Sequence, residues 1–422
     1  MQTRTPRVAV KYGVQRSVNE LLALKGDLAA KLLGVRQPKD PFALYEKIRA
    51  HGELYKSALG FFCTVSHPMV RNVLTDGRFG MPQPPPEADW SIAPGDQRLL
   101  THPIEDSLLV ADPPDHTRLR KLIARWFTAR AIREREPRVR ELVCEVLDKL
   151  AGRDQFDYAT EVAARVPLEV IADLLGVPIE DHDRFSWWGT VLSSTLDGPR
   201  SLAERRDVRA SLGEMNALFG ELIERYRKVP EDNIISDLVA DSEDMEDFGR
   251  RDLMALTELL FVAGLDTTAN LLGDTARLLL EHPDQHDRVR ADRELVPNVT
   301  EEVLRFDPPT KYTARMALEE VELEGHTIPE GGFVFELLAG ANRDPRVFTD
   351  PHVFDIGRDN SAQNISFSAG VHHCIGSGLA RLEAEVTLSE VLERFPRLAS
   401  AGPSKIRLTR SVRGPYELPV RV

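Results

Sequence analysis

Apolar residues recur at helical intervals along most of the chain. The longest such stretch runs from Arg251 to His282 without a proline and ends at His282-Pro283, where proline forbids continuation. About 30 residues at 1.5 Å each make a rod of roughly 45 Å. Its middle, LLFVAGLDTTANLLG, is apolar nearly all round, which predicts burial on every side. Periodicity returns from Thr117 to Leu150, where Val139, Leu142, Val143, Val146, Leu147 and Leu150 mark one stripe. EVAARVPLEVIADLLGV, DHDRFSWWGTVLSSTL, ERRDVRASLGEMNALFGELIERYRKV and GLARLEAEVTLSEVLERF add further helices, and short β-like runs lie in MALEEVELEGHTIPEGGFVFELL and SVRGPYELPVRV. The pattern predicts a mainly α protein with a minor β portion assembled from sequence-distant pieces.

Punctuation between these segments is sparse. The proline-rich stretch 81–95 reads as a surface loop, and 231–247, with eight acids and no base, as a solvated loop around a short Ile–Leu–Val helix. Val18 to Leu33 has rough helical spacing and reads as a surface helix docked on the body. With no internal repeat or long linker, residues 1–422 are expected to form one domain, 1–38 being an N-terminal extension. The N-terminus has no apolar block of signal-peptide length. The longest strongly apolar run, Leu259–Leu265, is far short of the ~20 residues that span a bilayer, so no membrane anchor is expected.

A formal charge of −13 over the 422 residues argues against broad nucleic-acid or anionic-membrane binding. Three cysteines, at 63, 144 and 374, are too few for a disulfide framework, a four-cysteine zinc site or a cysteine-ligated iron–sulfur cluster. They fit a reducing, cytoplasmic setting.

Four constellations carry chemistry. Cys374, in FSAGVHHCIG, stands before the last helix, where unsatisfied N–H groups and the dipole favour a thiolate; Gly370 and Gly376 would let the backbone approach a large flat ligand. The run AGLDTT, 263–268, sets an aspartate and threonines in the buried helix. Two readings are open there: threonine back-bonding with Asp266 paired to a distant base, or a proton relay with Gly264 thinning the helix beside a small ligand. His116 and Arg120, four apart, share a helix face that suits a carboxylate or phosphate. Glu302 and Arg305, three apart, form an ion pair on a short helix closed by Asp307-Pro308-Pro309.

In this order and spacing the four motifs resemble a cytochrome P-450 of the soluble bacterial type, over essentially the whole chain from DPFALYEKIRAHG to the C-terminal LPV. The family's usual Phe-Gly opening is Phe367-Ser368 here, and His373 precedes the cysteine. The resemblance implies the haem-thiolate fold with haem b as cofactor and Cys374 as axial ligand of the iron. It implies Asp266 and Thr267 as the acid–alcohol pair that delivers protons, Gly264 where oxygen needs space, and His116, Arg120, Arg315 and His372 on the haem propionates. Phe367 would cover the thiolate side, while Glu302 and Arg305, completed by Arg358, would form a structural network.

The implied activity is monooxygenation: O₂, two electrons and two protons put one oxygen atom into a hydrophobic small molecule of lipid, terpenoid, steroid or polyketide type. No flavin or NAD domain fits in the remaining sequence, so electrons come from a ferredoxin and its reductase. Residues 116–140 hold nine Arg/Lys and two acids, a basic face for an acidic ferredoxin, the other reading being a helix salt-bridged to its own neighbours. By analogy the pocket is walled by 81–100, Trp187–Leu196, Leu260–Ala263, Thr310–Ala314 and Ser411–Gly414, with Lys311 and Arg413 as polar anchors. A monomer is expected. Competing readings are a peroxide-using or rearranging haem-thiolate enzyme, which needs no proton relay, and a non-enzymatic haem sensor, which needs no basic face.

Overall fold

The computed structural model describes residues 17–34, 38, 40–82, 100–179, 181–198 and 201–422. Residues 83–99, the greater part of the proline-rich loop and of that expected pocket wall, lie outside the described residues, as do 1–16 of the N-terminal extension.

The long apolar stretch forms one helix, Arg250–Glu281. It ends at His282, whose non-helical backbone precedes the proline that opens the next helix, Pro283–Ala291. Around it pack the helices Arg165–Leu175, His182–Ser193, Leu202–Lys228, Val296–Phe306 and Ser377–Arg394. A continuous core follows, running from Leu108 to Val420. The central helix is also the one helix among the described residues long and apolar enough to cross a membrane, and it is mostly buried inside the protein.

The helical period over 117–150 resolves into two helices, Asp115–Ala124 and Ala129–Asp148. A 3-10 turn, Arg125–Phe127, follows the first helix; the extended backbone of Thr128 ends that turn, and its hydroxyl accepts the Ala131 N–H at 3.2 Å to cap the second. The stripe Val139, Leu142, Val143, Val146 and Leu147 is buried as its spacing predicted, chiefly against Ser377–Arg394.

Two expectations change. The Ile–Leu–Val helix expected in the acidic segment is present but takes up most of it, with less loop than expected: Asn233 caps a helix Ile234–Asp244, its Ile234, Ile235, Leu238 and Val239 are buried, and Asp237 and Asp241 bind Arg125. The N-terminal helix is broken at Gly26, where φ is 104°. Only Leu28–Leu33, capped by Asp27, docks on the body, while Val18, Leu21 and Leu24 stay exposed.

The β portion comes from distant pieces. A five-stranded sheet has the order Tyr55–Lys56, Phe62–Thr64, Phe333–Glu336, Thr313–Ala317, Phe79–Gly80. Its register sets Thr64 and Thr313 opposite Glu336, and Arg315 opposite Val334. Alternation therefore places Arg315, Thr313 and Glu336 on one face. The C-terminal run gives Pro419–Arg421, between Gln155–Asp157 and Ala399–Ser400, and a hairpin of Lys405–Ile406 with Pro415–Glu417.

Candidate active site

The loop from Ile365 to Ser377 holds Cys374 with its own backbone. The Cys374 N–H donates to the Phe367 carbonyl at 2.9 Å, and the Ser368 N–H to that of Ile365 at 3.0 Å. Gly370 and Ser368 both take left-handed conformations, φ 68° and 63°. At Gly370 the close approach is not to a ligand: an added Cβ would lie 2.3 Å from the Leu74 carbonyl oxygen, so the glycine lets the loop seat on a neighbouring helix. Gly376 does leave clearance, since the nearest atom to an added Cβ is the Cys374 sulfur at 4.0 Å.

Cys374 is exposed, yet enclosing protein raises its thiol pKa by desolvation. The Gly376 N–H, the Arg120 and Arg381 guanidiniums and the Ser377 N–H act in the opposite sense. Arg381 was missed by sequence reading, although it follows Cys374 by seven residues on the last helix; it stacks 4.6 Å from the Phe367 ring centroid and pairs with Glu301. The other cysteines differ: Cys63 is buried, and Cys144 donates to Glu390 at 3.6 Å.

Beside this loop three elements bring cationic groups together. His116, from Asp115–Ala124, is 1 % exposed, and its ring centroid lies 4.2 Å from that of His372. Both nitrogens of His116 and the Nε2 of His372 are buried without a hydrogen-bond partner. Arg315 is buried, spending one Nη1 on Thr313 Oγ1 at 3.2 Å and the Ala314 carbonyl at 2.9 Å. Arg120 donates to the His373 carbonyl at 2.7 Å. Among the described residues no acid forms an ion pair with any of the four. Burial and then Arg315, His116 and Arg120 push His372 down to about 3, and burial, followed by Arg120, lowers His116. Buried polar groups left in this state call for an anionic complement.

On the central helix the five consecutive residues Ala263 to Thr267 have different surroundings. Ala263 is exposed in the middle of a buried helix. Gly264 faces Ile171, whose Cγ1 would lie 3.1 Å from an added Cβ, so its missing side chain serves helix packing and does not provide the ligand space expected of it. Leu265 fills the gap over Gly189. Asp266 accepts from Arg407 Nη1 at 3.0 Å. Burial raises the Asp266 pKa and Arg407 opposes it. The Thr267 hydroxyl donates to the Ala263 carbonyl at 2.9 Å. Both parts of the first sequence reading are present, threonine back-bonding and a distant base for Asp266. Arg407 carried no motif by which sequence could find it.

Glu302 and Arg305 form a fully buried bidentate pair, 2.7 Å on each arm. Arg358 joins Glu302 at 3.4 Å, and Ser361, which sequence missed, donates to it at 2.6 Å. Arg305 also donates to the carbonyls of Asn342, Pro351 and Val353, tying the segment before the cysteine loop to the helix. The expected polar anchors are committed elsewhere: Lys311 is buried against Asp307, and Arg413 donates to the Pro38 carbonyl at 3.0 Å. Most of the basic segment is likewise paired within the chain. Arg118 meets Asp252, Arg125 meets Asp237 and Asp241, Arg130 meets Glu134, Arg138 meets Asp173, and Arg140 meets Glu390. Lys121 and Arg133 are exposed, and no ion pair engages them among the described residues.

The cytochrome P450 family model matches residues 205–409. The chain is 37% identical over 392 residues to vitamin D(3) 25-hydroxylase of Pseudonocardia autotrophica, covering 90% of this chain and 94% of that protein. It is 36% identical over 406 residues to the cytochrome P450 monooxygenase PikC of Streptomyces venezuelae, covering 94% of each. Among solved structures, P450BioI in complex with an acyl carrier protein ligated to hexadec-9Z-enoic acid superposes with a TM-score of 0.83 at 32% identity, over 91% of this chain and 98% of that one. The chain belongs to the cytochrome P450 family, a family of haem- and O₂-using monooxygenases.

The donors present fit a haem. Two propionate carboxylates would supply the anionic complement that the orphaned nitrogens of His116 and His372 call for, with Arg315, which no acid pairs among the described residues, beside them, and Cys374 offers an accessible sulfur within the same loop.

Proposed function

We propose that the protein is a ferredoxin-dependent monooxygenase of hydrophobic small molecules, with haem b held by Cys374 through the iron and by His116, Arg120, Arg315 and His372 through the propionates. The observation that carries it is the cluster of His116, His372, Arg120 and Arg315, with three buried imidazole nitrogens unpartnered and no ion pair to an acid among the described residues, beside an accessible cysteine. When bound, the haem supplies the redox chemistry of O₂ reduction and oxygen insertion. The balance is RH + O₂ + 2e⁻ + 2H⁺ → ROH + H₂O.

The chain's own residues do the rest. Asp266 and Thr267 hold and pass protons, at the carboxylate and at Oγ1 respectively. Ala263, exposed beside them, leaves the space first assigned to Gly264. Phe367, held under Arg381, shields the sulfur. Glu302, Arg305 and Arg358 fix the frame that carries the cysteine loop. The apolar substrate class is supported by relatives whose names and ligands are a vitamin D hydroxylase and a fatty acyl chain on its carrier. With Lys311 and Arg413 committed, recognition rests on shape and apolar contact. An acidic ferredoxin docks at Lys121 and Arg133, and its reductase supplies it. Cysteine usage supports a cytoplasmic setting, and the whole chain acts as one domain and as a monomer.

NADPH-driven turnover with ferredoxin and reductase tests this reading. Product formation that needs both proteins and O₂ is expected. Turnover with peroxide alone favours a peroxide-using enzyme, and no turnover of any substrate that shifts the ferric spin state favours a sensor.

A further inference from the structure

We infer that Glu336 is a positioning residue of the haem-propionate site: a third carboxyl beside Arg315, which has to be a neutral acid for the arginine to be given to a propionate. The inference deepens the proposed haem site and rests on Arg315 holding a propionate there. Glu336 ends the strand Phe333–Glu336, directly across from Thr313 on one side and from Thr64 on the other. Both of its carboxyl oxygens are buried without a hydrogen-bond partner. Arg315 stands two residues along from Thr313, on the same face of the sheet. Its side chain turns back toward the acid, since Nη1 donates to Thr313 Oγ1 at 3.2 Å and to the Ala314 carbonyl at 2.9 Å. The guanidinium therefore approaches Glu336 without pairing with it.

Charge decides what this acid does. Burial holds its carboxyl up at about 8, against Arg315 and its own backbone N–H, and among the described residues Arg315 is the one charged group acting on it. The Cys63 thiol, on the adjoining strand, is held up by burial, then by Asp27 and Glu336, and stays neutral. Arg315 itself feels Glu336 and then Asp112. Burial keeps His116 and His372 below the ordinary histidine value, so both are neutral in this range. Arg120 and Arg315 then match two propionates in charge, which leaves Glu336 without a cation among the described residues. With Arg315 given to a propionate, burial makes the neutral acid the stable form. Above about pH 8, where the empty site holds the carboxylate, haem binding takes up one proton from water; no electrons move.

The test measures the affinity of haem-free wild type, Glu336→Gln, Glu336→Asp and Arg315→Gln for ferric haem against pH, in competition with a haem-binding apoglobin. The competitor and Cys374 are common to every chain, so the ratio to Glu336→Gln isolates the acid. The loaded site binds one proton more than the empty one, so affinity falls as pH rises. Wild type and Glu336→Gln are expected to bind alike near pH 7. Above about pH 8 wild type should weaken against Glu336→Gln by up to about tenfold per pH unit, and Glu336→Asp should keep that slope. Infrared difference spectra of wild type at about pH 9, haem-bound minus haem-free, should show a new neutral-carboxyl band that Glu336→Gln lacks; the band is read on the wild-type fold. A ratio constant with pH, which a merely structural role would give, overturns the inference, and so does the absence of the band. Arg315→Gln that binds haem as tightly as wild type overturns instead the propionate reading beneath it. Weakened binding in Arg315→Gln with a constant Glu336 ratio strikes this inference alone.

Discussion

The rings of His116 and His372 lie 4.2 Å apart, tilted by 51°, and three of their four nitrogens are buried without a partner. Two imidazoles in that relation resist protonation, which is why burial, Arg315, His116 and Arg120 together bring His372 down to about 3. A histidine whose folded pKa lies below its unfolded value of ~6.5 binds its proton more readily when the chain is unfolded. Haem-free protein should therefore lose stability as pH falls from ~6.5 toward 3. Thermal unfolding across that range checks this. His372→Leu should flatten the dependence in haem-free protein, and haem should reduce it by supplying carboxylates.

Ser368 occupies the position where the family uses glycine, and it holds a φ of 63°. Left-handed backbone costs an L-residue about 1–2 kcal/mol, and its buried hydroxyl has no hydrogen-bond partner. Ser368→Gly should raise stability by about 1 kcal/mol or more, read by denaturant unfolding, with the cysteine loop otherwise unchanged.

The Glu302–Arg305 pair is fully buried, and breaking one side leaves an uncompensated charge worth about 3–5 kcal/mol. Glu302→Ala should yield little folded, haem-containing protein, measured as haem per chain after purification. Ser361→Ala, which removes one donor to the same carboxylate, should cost about 1–3 kcal/mol and retain haem.

Ferredoxin docking was first referred to the whole basic segment. With Arg125 and Arg130 engaged by acids of the same chain, reversing them would disturb internal pairs. Lys121→Glu and Arg133→Glu are the cleaner probes. Together they should slow reduction by ferredoxin about tenfold at low salt, with haem content unchanged. Stopped-flow reduction measures it, and an unchanged rate would remove this face as the docking site.

Sequence disclosed more of the fold than of the site's geometry. The central helix, the amphipathic stripe at Val139–Leu147 and the distant β pieces follow from period and proline alone, because burial repeats with backbone geometry. Cys374, Glu302–Arg305 and His116–Arg120 were legible because each is a local motif. Arg407, Ser361 and Arg381 were not: each meets its partner across 59 to 141 positions, and no spacing rule reaches that far. Gly264 and Gly370 show a different limit. A glycine announces close approach without saying to what, and here the neighbours are Ile171 and the Leu74 carbonyl.

The central claim is that Cys374 ligates a haem iron in this chain. The most direct test is the absorption spectrum of the reduced, haem-loaded protein under carbon monoxide. A strongly red-shifted Soret band, lost in Cys374→His while haem is retained, is the predicted result. A purified protein without colour, or a red-shifted band that survives Cys374→His, would contradict it.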